Sequence, residues 1–124
     1  MKILLVDENQ DVLETIGEIL EICQNHTVQG ANSAKEAIKL IKKRKYDLIV
    51  LDLALKVVNG LELIPKIRKI SPKQEIAVLT GINCNETICK KLSEHEVDKI
   101  FQKPKGIHEL LTYVKKLQAK HSAA

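Results

Sequence analysis

Short apolar runs alternate along this chain with longer stretches of helical period. The runs are Ile3-Leu4-Leu5-Val6, a weaker Thr27-Val28-Gln29-Gly30-Ala31, Leu48-Ile49-Val50-Leu51, Ile76-Ala77-Val78-Leu79 and Ile100-Phe101. Runs this short and unbroken suit strands buried on both faces, as in a parallel sheet. Between them, Val12, Ile16, Ile19, Leu20 and Cys23 fall on one helical stripe. Ser33, with Glu36 three residues on, forms a capping box that opens a second helix, whose Ala37, Ile38 and Ile41 face the core. A third helix runs from about Gly60 through Leu61, Ile64 and Ile67 and stops before Ser71-Pro72. Pro65 inside it removes a backbone hydrogen bond and predicts a kink. A fourth helix covers roughly 85–93, and Ile107, Leu110, Leu111, Val114 and Leu117 stripe a fifth. Five β-α units with short connections and right-handed crossovers predict an α/β fold: a doubly wound, five-stranded parallel sheet with helices on both faces.

The 124 residues fit one domain, 1–124, with its core over about 3–118 and fraying expected from Lys120 to Ala124. Hydrophobic residues make up 44% of the chain and aromatics only 2%, so Leu, Ile and Val must build the core. No apolar run approaches the roughly 20 residues of a membrane span, and no secretory signal is visible, which predicts a cytoplasmic protein without membrane contact. Cys23, Cys84 and Cys89 have no paired metal-ligand spacing and are expected as buried or half-buried free thiols.

Charge is uneven. Residues 1–36 are acidic and the remainder is basic, which raises nucleic acid or an acidic protein as partners. The densest run, Lys42-Lys43-Arg44-Lys45, sits where a helix should end, and the helix dipole favours cations there. With Tyr46, Tyr113 and Phe101 as the aromatics, base stacking has little to use, so no direct nucleic-acid binding is expected.

In open α/β sheets, ligands bind beyond the carboxyl ends of the strands. Asp7 and Glu8 follow the first strand, Asp52 the third, Thr80 the fourth and Lys103-Pro104 the fifth. Each alone is more often structural than functional; their convergence on one edge predicts a shared site. Crowded carboxylates raise each other's pKa unless a cation neutralises them. Mg²⁺ suits the task, because it takes few protein carboxylates and completes its shell with water and phosphate oxygens. Lys103 adds a fixed positive charge, so the site is suited to a phosphoryl group, with an aspartate able to act as nucleophile.

The segments Ile3-Leu4-Leu5-Val6-Asp7-Glu8-Asn9, Asp47 to Leu53, Asn59-Gly60-Leu61-Glu62-Leu63, Leu79-Thr80-Gly81 and Gln102-Lys103-Pro104 together resemble the receiver domains of two-component response regulators. The resemblance implies a flavodoxin-like sheet with strand order 2-1-3-4-5. It also implies Asp52 as phosphoacceptor, Mg²⁺ held by Asp7, Glu8, Asp52 and the Ala54 carbonyl, and Thr80 and Lys103 as partners of the phosphoryl oxygens. A cis Lys103-Pro104 bond is expected with it. A histidine kinase or histidine phosphotransfer protein would donate the phosphoryl group. Output would pass through the face of the fourth helix, fifth strand and fifth helix to a protein partner or a homodimer, unless an output domain follows in a longer chain. Such a domain catalyses its own phosphorylation and is not a turnover enzyme.

Departures from the pattern stand beside it. Lys56 replaces a proline, Gly81 an alanine, and Ile100 the switch aromatic, with Phe101 on the opposite face of the strand. Ala54 and Ile82 offer no polar group to orient an attacking water, which predicts slow self-dephosphorylation. The alternative is a phosphorylation-independent interaction module of the same fold. A phosphohydrolase is disfavoured because Ala54 stands where a second acid is needed. A flavin or nucleotide site is disfavoured because Asp7 and Glu8 would repel phosphate.

Overall fold

The computed structural model describes residues 1–55, 59–97 and 99–122, the side chains of Cys23, His121 and Ser122 excepted. Lys56 lies outside the described residues. The expected alternation is realised as β1 (Lys2–Val6), α1 (Gln10–Glu18), β2 (Thr27–Ala31), α2 (Ala34–Lys43), β3 (Leu48–Leu51), α3 (Gly60–Ile70), β4 (Ile76–Thr80), α4 (Glu86–Glu94), β5 (Lys99–Gln102) and α5 (Gly106–Ser122). The strands form one parallel sheet in the order β2-β1-β3-β4-β5, which makes β3 central.

Strand pleating distributes the core between two sides. Leu4, Val6, Ile49, Leu51, Ile76 and Val78 point to the face covered by α2, α3 and α4, where Ala37, Ile64, Ile67 and Leu92 are buried. Their neighbours Ile3, Leu5, Leu48, Val50, Ala77 and Leu79 point to the face covered by α1 and α5, against Ile16, Leu110 and Val114. That period of two is the property of a strand buried on both faces. The two edge strands are less covered: β2 alternates exposed with half-buried positions before the buried Ala31, and no residue of β5 is fully buried.

Helix starts follow one device. Asn9, Ser33, Asn59 and Asn85 each accept a hydrogen bond from a backbone N–H of the first turn, at 2.9–3.1 Å, and each such cap contributes about 1 kcal/mol. The Ser33 cap was expected; the three asparagines were not singled out. The C-terminal ends differ more from expectation. The stripe predicted to reach Cys23 as α-helix instead passes into a π-helical turn over Ile19–Cys23, leaving Leu20 buried and Ile22 78% exposed. α3 is continuous through Pro65, and α5 runs to Ser122, past the point where fraying was expected. Among the described residues, no helix is long and apolar enough to cross a membrane.

His26 follows the π-helical turn and its backbone N–H donates to the Leu20 carbonyl; it is 5% exposed, its Nδ1 3.1 Å from the terminal ammonium of Met1. Burial, and then that ammonium, hold its pKa below the ordinary 6.5. The unfolded chain therefore takes up a proton at higher pH than the folded one, so stability is whole above 6.5 and falls as the pH drops below it. Thermal unfolding should begin a few degrees lower near pH 5.5 than near pH 7.5, and His26→Gln should flatten that dependence. An unchanged slope in the variant would assign it to other groups.

Candidate active site at the carboxyl edge of the sheet

β1 and β3 are neighbours, so the residues that follow them emerge side by side. The backbone N–H of Asp7 donates to the Ala31 carbonyl and that of Asp52 to the Val6 carbonyl, extending the ladder to the site itself. Both carboxylates are buried, 4% and 8% exposed, and Thr80 at the end of β4 is fully buried. The Thr80 hydroxyl donates to Asp52 Oδ1 at 2.7 Å and accepts from the Ile82 N–H at 3.2 Å. The Ala54 N–H donates to the same Oδ1 at 3.0 Å. Lys103, carried in just after β5, places Nζ 2.7 Å from Asp7 Oδ2 and 3.3 Å from Asp52 Oδ2. The peptide bond that follows it, Lys103-Pro104, is cis, as expected.

Electrostatics separate the two acids. Burial pushes the Asp7 carboxyl above its ordinary value, and this outweighs the Lys103 bond and the Asn9 N–H that donates to it. Burial acts on Asp52 too, but the Ala54 N–H, the Thr80 hydroxyl and the Lys103 ammonium together hold it below the usual carboxylate range. Burial works against the charge of Lys103, yet the two acids raise its pKa. Asp52 is thus the acid best held as an anion, which a nucleophile requires.

The structure brings Asp7, Asp52, Thr80 and Lys103 into one hydrogen-bonded group. Glu8 is half-buried directly after Asp7, and Ala54 is exposed beside Asp52. Among the described residues, no three acidic, histidine or cysteine side chains gather into a metal-sized cluster. An all-oxygen set with few carboxylates still fits Mg²⁺, which keeps most of its ligands as water and phosphate.

A sequence model of the response regulator receiver domain matches residues 3–115. The chain belongs to this family. It is 30% identical over 124 residues to the alginate biosynthesis transcriptional regulatory protein AlgB of Pseudomonas putida, covering 99% of this chain and 27% of that protein. With the transcriptional regulatory protein AfsQ1 of Streptomyces coelicolor it shares 35% identity over 83 residues, covering 67% of this chain and 36% of that one. The chain spans less than half the length of the curated relatives it matches. A CheY-like receiver domain protein from Methanospirillum hungatei superposes with a TM-score of 0.87 at 26% identity, over 99% of this chain and 98% of that one. A two-component response regulator from Clostridium difficile gives 0.88 at 28%, over 98% of both chains.

Two glycines of this receiver domain behave oppositely. A Cβ on Gly60 would lie 2.6 Å from the Leu53 Cα and 2.9 Å from the Asp52 carbonyl oxygen, so only glycine lets α3 begin this close to the Asp52 loop. Gly60→Ala should lose about 1–3 kcal/mol in urea unfolding. A Cβ on Gly81 meets nothing within 4 Å, so Gly81→Ala should change stability by less than about 1 kcal/mol. Equal losses in the two variants would sink the close-approach argument.

Ile100, expected at the switch position, and its neighbour Phe101 also fall on opposite faces. Ile100 packs with the α2-α3-α4 side, whereas Phe101 packs with the α1-α5 side, its ring 5.8 Å from that of Tyr113. Sequence reasoning missed Asn9, whose N–H orients Asp7, and the Gln102–Asn83 side-chain bond of 2.7 Å between β5 and the β4-α4 loop. The helix-leading position of Asn9 was a usable signal. Nothing local marked the second pair.

Proposed function

We propose that this receiver domain takes a phosphoryl group onto Asp52 from a phosphohistidine donor, a histidine kinase or a histidine phosphotransfer protein, with Mg²⁺ as cofactor. The observation that carries the reading is the Asp52 carboxylate itself. It is buried at the end of the central strand and kept anionic by three donors, with an ammonium held between it and a second acid. Asp7, Glu8, Asp52 and the Ala54 carbonyl would hold the ion, directly or through water. The ion supplies neutralisation of the carboxylates and of the incoming phosphoryl oxygens.

The residues do the rest. Lys103 and the Thr80 hydroxyl stand where charge on the transferred group must be balanced, and the sheet edge fixes Asp52 for in-line attack. The products are an acyl phosphate on Asp52 and the free histidine of the donor. The domain catalyses its own modification and is not a turnover enzyme. The altered charge biases a two-state equilibrium of the α4-β5-α5 face, which binds a protein partner or a second copy. A cytoplasmic location follows from a cytoplasmic donor.

Ile100 favours a second reading a little: a receiver-shaped binding module whose partner ignores phosphate. Amide NMR with Mg²⁺ and then beryllofluoride, a mimic of the acyl phosphate, separates the two. Shifts starting at Asp7, Asp52, Thr80 and Lys103 and reaching α4-β5-α5 support the switch. Shifts confined to the site implicate Ile100, and no response supports the module.

Ala54 and Ile82 border the path to Asp52, and neither side chain can orient water. An asparagine amide at position 54 could hold a water in line with the phosphorus. The acyl phosphate should therefore outlive that of an Ala54→Asn variant by about tenfold, somewhat less than a full general base supplies. Equal or shorter persistence in the unaltered chain, followed by loss of radiolabel, would refute this.

A further inference from the structure

α4 opens on two thiols. Asn85 is its N-cap, accepting from the Ile88 N–H at 2.9 Å. Cys84 stands one residue before the cap and Cys89 four residues after it. Side chains at these two positions meet across the first turn of a capped helix, ordinarily as an apolar staple. The Cys89 Sγ lies 3.9 Å from the Cys84 carbonyl oxygen, against the backbone of the residue it faces. The Cys84 Sγ lies 3.7 Å from the Ile82 carbonyl oxygen, half-buried against the core beneath α4. Cys89 is exposed, contrary to the expectation of a buried or half-buried thiol.

We propose that Cys84 and Cys89 form a redox modification site, closing into a reversible intramolecular disulfide when a hydroperoxide oxidises the solvent-facing Cys89. The Cys89 thiolate attacks one peroxide oxygen, the O–O bond breaks, and a sulfenic acid and hydroxide result. The Cys84 sulfur then attacks the Cys89 sulfur, an S–S bond forms, and water leaves. In sum, two thiols and one hydrogen peroxide give a disulfide and two waters. A dithiol reverses the step by exchange. Burial and the neighbouring Cys89 push the Cys84 thiol up, which disfavours it as the sulfur that meets peroxide first.

The bridge would tie the β4-α4 loop to the first turn of α4. That loop carries Ile82, whose N–H donates to Thr80, and Asn83, which accepts from Gln102 of β5. Oxidation therefore restricts the segment joining the Asp52 site to the α4-β5 surface. This consequence rests on the proposed role of Asp52; the bridge does not.

The test uses the full chain with Cys23→Ser, so that the pair holds the remaining thiols. After treatment with hydrogen peroxide and alkylation with iodoacetamide, tryptic peptide 74–90 contains both sulfurs. It should appear unalkylated and two hydrogens lighter in a monomeric protein, with both alkylation sites restored by dithiothreitol. Amide exchange over 85–88 should slow by about tenfold on oxidation, as expected for a short closed loop. Full alkylation after peroxide, sulfinic acid on Cys89 with Cys84 still reactive, or only disulfide-linked dimers would each overturn the proposal. A bridge without slower exchange would overturn its coupling to α4. Both readings are made without phosphate, so failure of the Asp52 assignment would show separately.

Discussion

Asp52→Asn is expected to abolish phosphoryl uptake while leaving the fold intact. The amide keeps the shape of the carboxylate, and its Oδ1 can still accept from the Thr80 hydroxyl and the Ala54 N–H, which meet Asp52 at 2.7 and 3.0 Å. It removes the anionic oxygen proposed to attack phosphorus. Asp7 is also buried, but its carboxyl is pushed upward and its Oδ2 is held by Lys103. Incubation with a small acyl phosphate and Mg²⁺ should add one phosphoryl mass to the unaltered chain and none to the variant, a loss of at least about a hundredfold. Thermal unfolding should move little, or upward, because one of two crowded carboxylates is gone. Wild-type uptake by the variant would sink the assignment of Asp52. Failure of both chains to take up the group would favour the phosphate-independent module.

The second large effect concerns Lys103. Its ammonium joins two acids that are otherwise buried in one another's field, at 2.7 and 3.3 Å. Lys103→Ala leaves both carboxylates without that partner, and breaking a buried pair from one side is costly because the remaining charge stays desolvated. With the lysine side chain 20% exposed, the expected loss in urea unfolding is about 3 kcal/mol near neutral pH without divalent ions, the lower end for such pairs. Without Lys103 both carboxyls move upward in the folded state, Asp7 from a value already raised and Asp52 from one held low. Their penalty is therefore present above the folded pKa and relieved as acidification protonates them. Two observations would support this origin: recovery of stability in Asp7→Asn/Lys103→Ala, and partial recovery with millimolar Mg²⁺. A loss of the same size in an Asp7→Asn/Asp52→Asn background would mean that Lys103 acts by packing alone.

These two effects differ in how far they could be foreseen. Asp52 was legible because four apolar residues lead into it, which marks the end of a buried strand, and polar residues at such ends cluster in open α/β sheets. Lys103 was legible only as one of four such ends and through its place before Pro104. That it lies closer to Asp7 than to Asp52 depends on residues 96 and 51 positions apart. The π-helical turn after α1 was not foreseen, since Ile16, Ile19, Leu20 and Cys23 satisfy an α-helical stripe equally well. The asparagine caps were available signals, overlooked beside the Ser33–Glu36 capping box.

What the sequence determined by itself is the set of elements and the sidedness of each. Strand pleating and helical period are properties of neighbouring residues, so the alternation of Leu4 with Leu5, or of Ile49 with Val50, assigns each to one layer without further knowledge. What only the tertiary structure decided is how the ends of those elements meet. The opposite pKa shifts of Asp7 and Asp52 follow from which donors reach which oxygen. The Thr80–Asp52 bond and the Gln102–Asn83 bond follow from the register of β3, β4 and β5. Such contacts span tens of residues and are set to a few tenths of an ångström by packing of the whole sheet, a scale on which local pattern carries no information.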